Sequence, residues 1–600
     1  MTAARPEAAH HEPGLSALDA SRVVVSELVA AGVRYVVVCP GSRSAPLAYA
    51  VAEAELRGEI EGLVRLDERD AGFLAVGLAV AEGSPVALVT TSGTAVGELL
   101  PAIMEANHSG LPLVAITADR PAELYGTGAN QTTAQADLFG AHVRASFTVP
   151  AGEDPAPALR AALLAADGLA AEDAVGVVDV RQVPRGPAQV NLSFREPLTP
   201  PDDEALRGLP SVPVRPGLLT EIECLERDAQ AAEPLRGFDA AMRAAAGDAR
   251  RRTVVVAGHG AGPLAADFAA ALGLPLLAEP SSDARFGPTA VSAYQFLLPS
   301  LGADVQAVVL FGRPTLSRPV AALMARPGVE AALFLTEPAP WFEPGRRRER
   351  IVSDLAELAV FAGRAAEGWT GRWLDADSAV GESMELVLAE REAQTGRLTG
   401  PSLAATVWDA LDGPLVLGSS RPIRDLDLMA RARSGRGPRV FANRGLAGID
   451  GTLATAAGVA LAARRRTVAL MGDVTFLHDA GGLLLPTFER EPRLDVIVAN
   501  DDGGTIFSTL EHGGVAERGG YQRAVTRYFR TPHGLHLAPL AEAYGWEATT
   551  ATTHQAVRAW LEEGKTATGR RLLEVPVERR DPRGLHRALA AAATQALSEL

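Results

Sequence analysis

Two short stretches carry acids in a setting suited to a metal. In "VALMGDVTF", Asp473 follows the apolar run 467–471 through Gly472. In "VIVANDDGG", Asn500, Asp501 and Asp502 follow another apolar run and lead into two glycines. The separation of Asp473 and Asp501 suits one strand–helix–strand unit, which sets both acids at the same edge of adjacent strands. Two carboxylates beside a glycine turn with open carbonyls form an oxygen site for a hard divalent cation. Mg2+ in such a site keeps few protein ligands and completes its octahedron with phosphate oxygens and water. Each piece alone reads more simply as a helix cap or a turn; the pair at this spacing favours the cation. A third acid, Glu68 in "VRLDERDAGFLAVGLA", follows the apolar run 63–66 and opens a Gly/Ala-rich helical pattern. There it serves either as a partner of the helix dipole or as a catalytic group. In "VVVCPGSRSAPLA", Arg43 stands between Ser42 and Ser44 at the end of an apolar strand, where a tight turn is satisfied by Asn, Asp or Gly.

Such residues need elements that present them at one edge. A chain of 600 residues is too long for one core and suggests three or four domains of ~100–200 residues. In the first block, "SALDASRVVVSELVAAG" predicts a helix with Ser16 and Asp19 in capping-box-like spacing and Gly32 as its stop. "YVVVC", "GLVRL", "PVALVTTSG", "PLVAITAD" and "AVGVVDV" follow as short continuous apolar runs between helical stretches. That is the pattern of a parallel sheet buried on both faces. Residues 197–217 carry six prolines without a sustained period and read as a linker. A second block holds "TVVVAGHGAG", "LPLLAEP", "AVVLFGRPT" and "AALFLTE"; a third holds "GPLVLGSS", "PRVFANRG", "RTVALMGD", "LDVIVANDDGG" and "RLLEVPV". The fold class is therefore α/β, with three doubly wound domains and mainly parallel sheets over 15–196, 218–375 and 395–600. Ligands in such sheets lie beyond the carboxyl ends of the strands, where the residues singled out above fall.

Composition excludes several classes. With 47% apolar and 22% charged residues the chain is globular. A formal charge of −16 argues against nucleic acid as a partner. Lys565 is the only lysine, so any anion site must use arginine. Cys39 and Cys224 are too few for a disulfide framework or a zinc site; Cys39 reads as a buried strand residue. No apolar run approaches a membrane span and the first residues lack a signal core, so a cytoplasmic protein is expected. "GHGAG" at 258–262 lacks the continuation of a dinucleotide fingerprint, and "EEGKT" at 562–566 lacks the first glycine of a phosphate loop. His10 and His11 fall in an N-terminal tail.

Together, "LDERDAGFLAVGLA" in the first block and "GD…NDDGG" in the third resemble the thiamine-diphosphate-dependent decarboxylase and carboligase superfamily. The resemblance runs in order along nearly the whole chain. It implies a pyrimidine-binding, a middle and a diphosphate-binding domain, with Mg2+, or Mn2+ in its place. One departure is Asp501, where a second Asn is frequent; aspartate is an equally hard oxygen ligand and makes the site more anionic. "CPGSRSAPL", "TSGTAVGELLPAIMEA", "TADRPAEL", "GANQTT", "NLSFREPL" and "ANRGLAGIDG" narrow the likeness to a menaquinone-pathway branch. Its members decarboxylate 2-oxoglutarate and join the remaining four carbons to isochorismate.

By that resemblance Glu68 passes a proton to the aminopyrimidine ring of the cofactor, a task that needs a carboxyl in an apolar setting. Ile449 in "AGIDG" holds the cofactor bent, and Gly472, Asp473, Asp501 and Gly503 bind the metal and diphosphate end. Both substrates are dicarboxylates, and guanidinium pairs bidentately with carboxylate. The implied clamps are Arg43, Arg120, Arg424 and Arg444, with Arg318 of the middle domain a weaker fifth that reads as well as a surface ion pair. Ser42, Ser420, Asn130 and Gln131 add neutral donors; Ile506 and Phe507 form an apolar wall. The resemblance further implies a homodimer or a dimer of dimers with active sites at the subunit interface. The arginine set disfavours a pyruvate-type decarboxylase or acetolactate-synthase-like carboligase, and Glu68, Asp473 and Asp501 together disfavour a non-catalytic binding protein.

Overall fold

The structure is a computed structural model that describes residues 14–169, 183–202, 237–343 and 345–600. The expected strand at 174–180, most of the linker, the boundary at 218, Cys224, His10 and His11 lie outside the described residues. The chain divides into two compact units, Met1–Leu218 with Pro486–Glu489, and Leu219–Leu485 with Arg490–Leu600.

The first unit is built on a six-stranded parallel sheet. Its strands are β1 (Tyr35–Val38), β2 (Glu61–Val64), β3 (Val86–Thr90), β4 (Leu113–Asp119), β5 (Ser146–Val149) and β6 (Ala188–Ser193), in the order β2-β1-β3-β4-β6-β5. β1, β3 and β4 are buried along their whole length, which is why they read as unbroken apolar runs. Helix α1 (Ala17–Ala30) starts where the Ser16 hydroxyl accepts the Asp19 N–H at 3.1 Å. It stops before Gly32, whose φ of +77° suits glycine. Helix α2 (Glu68–Glu82) packs a nearly all-apolar surface inside the unit. β2 ends two residues earlier than the apolar run suggests, because Arg65 turns back onto the Val64 carbonyl at 2.6 Å and pairs with Glu489 at 3.7 Å. Leu66 is thereby left exposed in the loop that leads to Glu68.

The second unit carries two more six-stranded parallel sheets. The middle sheet comprises β7 (Thr253–Ala257), β8 (Leu276–Ala278), β9 (Ala290–Val291), β10 (Ala307–Phe311), β11 (Glu330–Phe334) and β12 (Arg350–Val352), ordered β9-β8-β7-β10-β11-β12. That is the strand order of a dinucleotide-binding sheet, but its switch point is filled. His259 bridges Arg313 in backbone pairing, and a Cβ at Gly258 would lie 2.2 Å from the Arg313 carbonyl carbon. Gly258 therefore serves close backbone approach, while Gly260 and Gly262 hold φ of +72° and +75°. The remaining sheet comprises β13 (Leu415–Leu417), β14 (Val440–Phe441), β15 (Thr467–Gly472), β16 (Leu494–Asn500), β17 (Glu547–Thr550) and β18 (Arg570–Pro576), ordered β14-β13-β15-β16-β18-β17. Its topology repeats that of the first sheet. The sequence reading lacks β5, β6, β9, β12 and β17. β5 and β17 are edge strands with mostly exposed or half-buried residues, β9 and β12 are two- and three-residue edge strands, and β6, though buried, is interrupted by Gln189 and Asn191. Lys565 follows a helix, His554–Gly564, rather than a strand, and pairs with Glu562 at 2.7 Å. Among the described residues no helix is long and apolar enough to cross a membrane.

Candidate active site

In an order that runs 2-1-3, the chain leaves the first strand in one direction and returns on its other side, so the crevice opens between strands 1 and 3. In the last sheet these are β13 and β15. β13 runs into Ser419 and Ser420 and then helix α3 (Arg421–Met429); β15 ends on Gly472 and runs into helix α4 (Asp473–His478). Ser420, Arg421, Gly472, Asp473, Asp501 and Thr505 line one cavity there. β15 and β16 pair with Gly472 opposite Ala499, so Asp473 and Asp501 leave neighbouring strands at the same edge.

Both carboxylates are buried, Asp473 at 2% and Asp501 at 7% exposure. Burial pushes both above the usual carboxylate range, and for Asp501 the Asp473 charge adds to it. Asp473 Oδ1 accepts the Val474 N–H at 2.7 Å, and Oδ2 accepts the Gly503 N–H at 2.8 Å. Asp501 accepts from the Thr505 hydroxyl and lies 3.6 Å from the Arg421 guanidinium, which offsets the charge that aspartate adds at this position. Gly503 holds φ +120°, and a Cβ there would lie 2.1 Å from the Arg530 carbonyl oxygen, so no other residue fits the turn. Two buried acids that repel each other, beside an arginine and the start of a nine-residue helix, are a donor set for a divalent cation bound to a phosphate group. Among the described residues no cluster of three or more His, Cys, Asp or Glu side chains forms a metal site by itself.

In the first unit the equivalent crevice lies between β1 and β3. A Cβ at Gly41 would lie 2.3 Å from Thr91, so the loops after these strands touch. Arg43 donates through Nη1 to the Phe194 carbonyl at 2.8 Å, and its Nε is buried without a partner. Burial and the neighbouring Arg120 charge both hold the Arg43 guanidinium below its usual pKa. Arg120 bonds the Ser92 hydroxyl and, at 3.2 Å, the Gln131 carbonyl; Gln131 reaches back to the Ser92 carbonyl at 3.2 Å. Ser42 and Asn130 are exposed. Two guanidinium groups are thus brought together with an unsatisfied buried donor, a concentration of positive charge that calls for an anion.

Glu68 is the first residue of α2, but it does not cap it. Asp67 does, accepting the Arg69 N–H at 2.9 Å and the Asp70 N–H at 3.4 Å. The capping role is therefore taken by its neighbour. Glu68 is half-buried, and burial foremost, with the charges of Asp67 and Glu98 behind it, raises its pKa. Raised in this way, the carboxyl is better suited to giving and regaining a proton than an exposed carboxylate.

The remaining arginines belong to the second unit. Arg424 donates to the Ser420 carbonyl at 2.7 Å, and burial lowers its pKa. Arg318 is largely exposed and pairs with Glu511 at 2.8 Å. Both face a cleft of about 440 Å3, which Arg421, Asp425 and Ile506 share with the acid-lined cavity. Arg444 is buried at 3% exposure and donates to Thr315 Oγ1 and O, both at 3.1 Å. Phe507 stacks edge-on with His512 and Phe529, and Ile449 is half-buried in the turn before the helix Thr452–Ala463.

Sequence reasoning missed Arg421, Thr505, Ser92 and His533. Arg421 shares "GSSRPIRD" with Arg424, one helical turn earlier, and also pairs with Asp425 at 3.3 Å. His533 lies in "TPHG" and donates to Asp473 Oδ2 at 3.0 Å. Its only local signal is a histidine in a Pro/Gly turn.

Two family models match the chain: the N-terminal TPP binding domain of thiamine pyrophosphate enzymes over residues 18–138, and the C-terminal TPP binding domain over 427–575. Known relatives match along nearly the full length. A 2-succinyl-5-enolpyruvyl-6-hydroxy-3-cyclohexene-1-carboxylate synthase of Arthrobacter sp. (strain FB24) is 50% identical over 97% of this chain and 93% of that protein. The protein of the same name from Paenarthrobacter aurescens is 50% identical over 98% of this chain and 99% of its own length. That from Mycobacterium avium is 39% identical over 95% and 98%.

Proposed function

The chain belongs to the 2-succinyl-5-enolpyruvyl-6-hydroxy-3-cyclohexene-1-carboxylate synthase family of thiamine pyrophosphate enzymes, and from that premise we propose the reaction it catalyses. It decarboxylates 2-oxoglutarate and adds the remaining four-carbon unit to isochorismate, giving 2-succinyl-5-enolpyruvyl-6-hydroxy-3-cyclohexene-1-carboxylate and CO2 in menaquinone biosynthesis. As a carbon–carbon bond-forming carboligase it is a transferase. Bound thiamine diphosphate supplies the electron sink that decarboxylation requires.

The observation that carries the reading is the pairing of a buried acid pair in the last sheet with arginine clusters at the strand ends. Asp473, Asp501 and the Gly503 carbonyl would hold Mg2+ or Mn2+ against the diphosphate, and Ile449 would support the cofactor's bend. Glu68 would hold and move the proton at the aminopyrimidine ring. Arg43 and Arg120, with Ser42, Asn130 and Gln131, would clamp one substrate's carboxylates. Arg424, Arg444, Arg318 and Ser420 would serve the other, against Ile506 and Phe507. A homodimer or dimer of dimers, with Glu68 and Asp473 of one site drawn from different subunits, is part of this proposal.

The test is to supply thiamine diphosphate, Mg2+ and isochorismate and to follow isochorismate consumption with 2-oxoglutarate or pyruvate as donor. Consumption with 2-oxoglutarate alone is expected. Equal consumption with pyruvate would favour an acetolactate-synthase-like activity instead.

A further inference from the structure

His533, 30 residues after Gly503, reaches the acid pair across the fold, and the turn around it is tied down on several sides. Its backbone N–H and that of Gly534 bond Asp502 Oδ1 at 3.2 and 2.7 Å. Asp502 sits at φ +58°, and its other oxygen pairs with Arg579 at 2.7 Å. Three residues before His533, the Arg530 carbonyl accepts the Gly504 N–H at 2.7 Å. The segment 530–535 is thus laced to 502–504, and the imidazole, 12% exposed, has little room to turn.

The ring's hydrogen bonds fix its tautomer. Nδ1 accepts the Leu535 N–H at 3.0 Å, so it carries no proton of its own. The proton of the neutral ring is on Nε2, which donates to Asp473 Oδ2 at 3.0 Å. That oxygen also takes the Gly503 N–H at 2.8 Å. Two donors of fixed direction therefore hold Oδ2. Oδ1 carries only the N–H of Val474. A carboxylate oxygen has two lone pairs, so Oδ1 keeps one for a cation while Oδ2 is spent on the protein.

We propose that His533 is a positioning residue for the divalent cation: with the Gly503 N–H it fixes the Asp473 carboxylate so that Oδ1 is presented to the metal. This rests on the cation site of the proposed function. A donor of this kind behind a metal ligand typically contributes 10–100-fold in metal affinity.

The experiment is direct Mn2+ binding, read by electron paramagnetic resonance, to the full chain with saturating thiamine diphosphate. His533→Ala and His533→Met remove the donor, and each should weaken Mn2+ binding by about 10–100-fold. His533→Gln restores an N–H at similar reach and should recover most of that loss, which a merely space-filling role would not produce. Asp473→Ala should abolish Mn2+ binding. If Asp473→Ala binds Mn2+ normally, the cation site itself is wrong, whatever the His533 variants do. Wild-type affinity in folded His533→Ala or His533→Met overturns the positioning role. Should both fail to fold, His533→Gln decides: affinity kept near wild type supports the donor role, and a loss of tenfold or more overturns it.

Discussion

Replacing Arg43 by alanine should separate substrate recognition from cofactor binding. The side chain is half-buried, spends Nη1 on the Phe194 carbonyl at 2.8 Å and keeps Nε buried without a partner. A substrate carboxylate is the group that would use the remaining donors. Removing one partner of a hydrogen-bonded charge pair costs roughly 2–5 kcal/mol when the pair is fully desolvated. Arg43 is only half-buried, and Arg120 remains nearby to hold part of the charge, so the low end applies. The expected loss is about 2–3 kcal/mol, or ~30–150-fold in kcat/KM for the affected substrate. Arg43→Lys should recover only part, because an ammonium lacks the planar fork. The assay is steady-state kinetics with isochorismate and 2-oxoglutarate varied in turn, beside a calorimetric cofactor titration. The loss should fall mainly on isochorismate, with thiamine diphosphate affinity unchanged. An equal loss of cofactor affinity would refute the clamp and make Arg43 a cofactor or structural residue.

Glu68→Gln keeps size and hydrogen bonding but cannot cycle a proton, so deuterium exchange at the thiazolium C2 should slow by about 10²–10⁴; an unchanged rate assigns activation to another residue. Glu279, buried and pushed up to about 7 by burial and the nearby Asp427 charge, is favoured in its protonated form in the fold. Its contribution is therefore full below the ordinary carboxylate pKa and is lost as pH rises through about 7. Glu279→Gln should gain stability relative to wild type by up to about 3 kcal/mol between pH 4.5 and 8, read by denaturant unfolding across that range; parallel curves would rule out Glu279 as the titrating group. Mixing inactive Glu68→Gln with inactive Asp473→Ala under subunit exchange should restore partial activity, because one site in a mixed dimer is wholly native. No recovery despite proven exchange would assign each site to a single subunit.

Most central strands were legible because they are buried on both faces and so appear as unbroken apolar runs; β6 was not, since Gln189 and Asn191 interrupt it. The acids after β15 and β16 were legible for the same reason, since a doubly wound sheet delivers its loops to one edge. Arg421 was hidden by its neighbour: in "GSSRPIRD" both arginines fall on one helix face, and only packing shows which one reaches Asp501. Thr315, which receives Arg444, and Glu279, which accepts the Thr315 and Leu316 N–H groups, follow strands of the middle sheet. No local pattern in "ANRG" names them. His533 offered only a histidine in a Pro/Gly turn, because its partner Asp473 lies 60 residues away in the chain and the stretch between them obeys no period. The β2 boundary moved because Arg65 bends back to the Val64 carbonyl, a side-chain bond that hydrophobic patterning does not register.

The most direct test of the account is the stoichiometry of decarboxylation. With 2-oxoglutarate labelled at its first carboxyl, thiamine diphosphate and Mg2+, labelled CO2 should be released in step with isochorismate loss. The joined product should carry the mass of isochorismate plus the unlabelled four-carbon unit. Release of CO2 at the same rate without isochorismate, or isochorismate loss without labelled CO2, would contradict it.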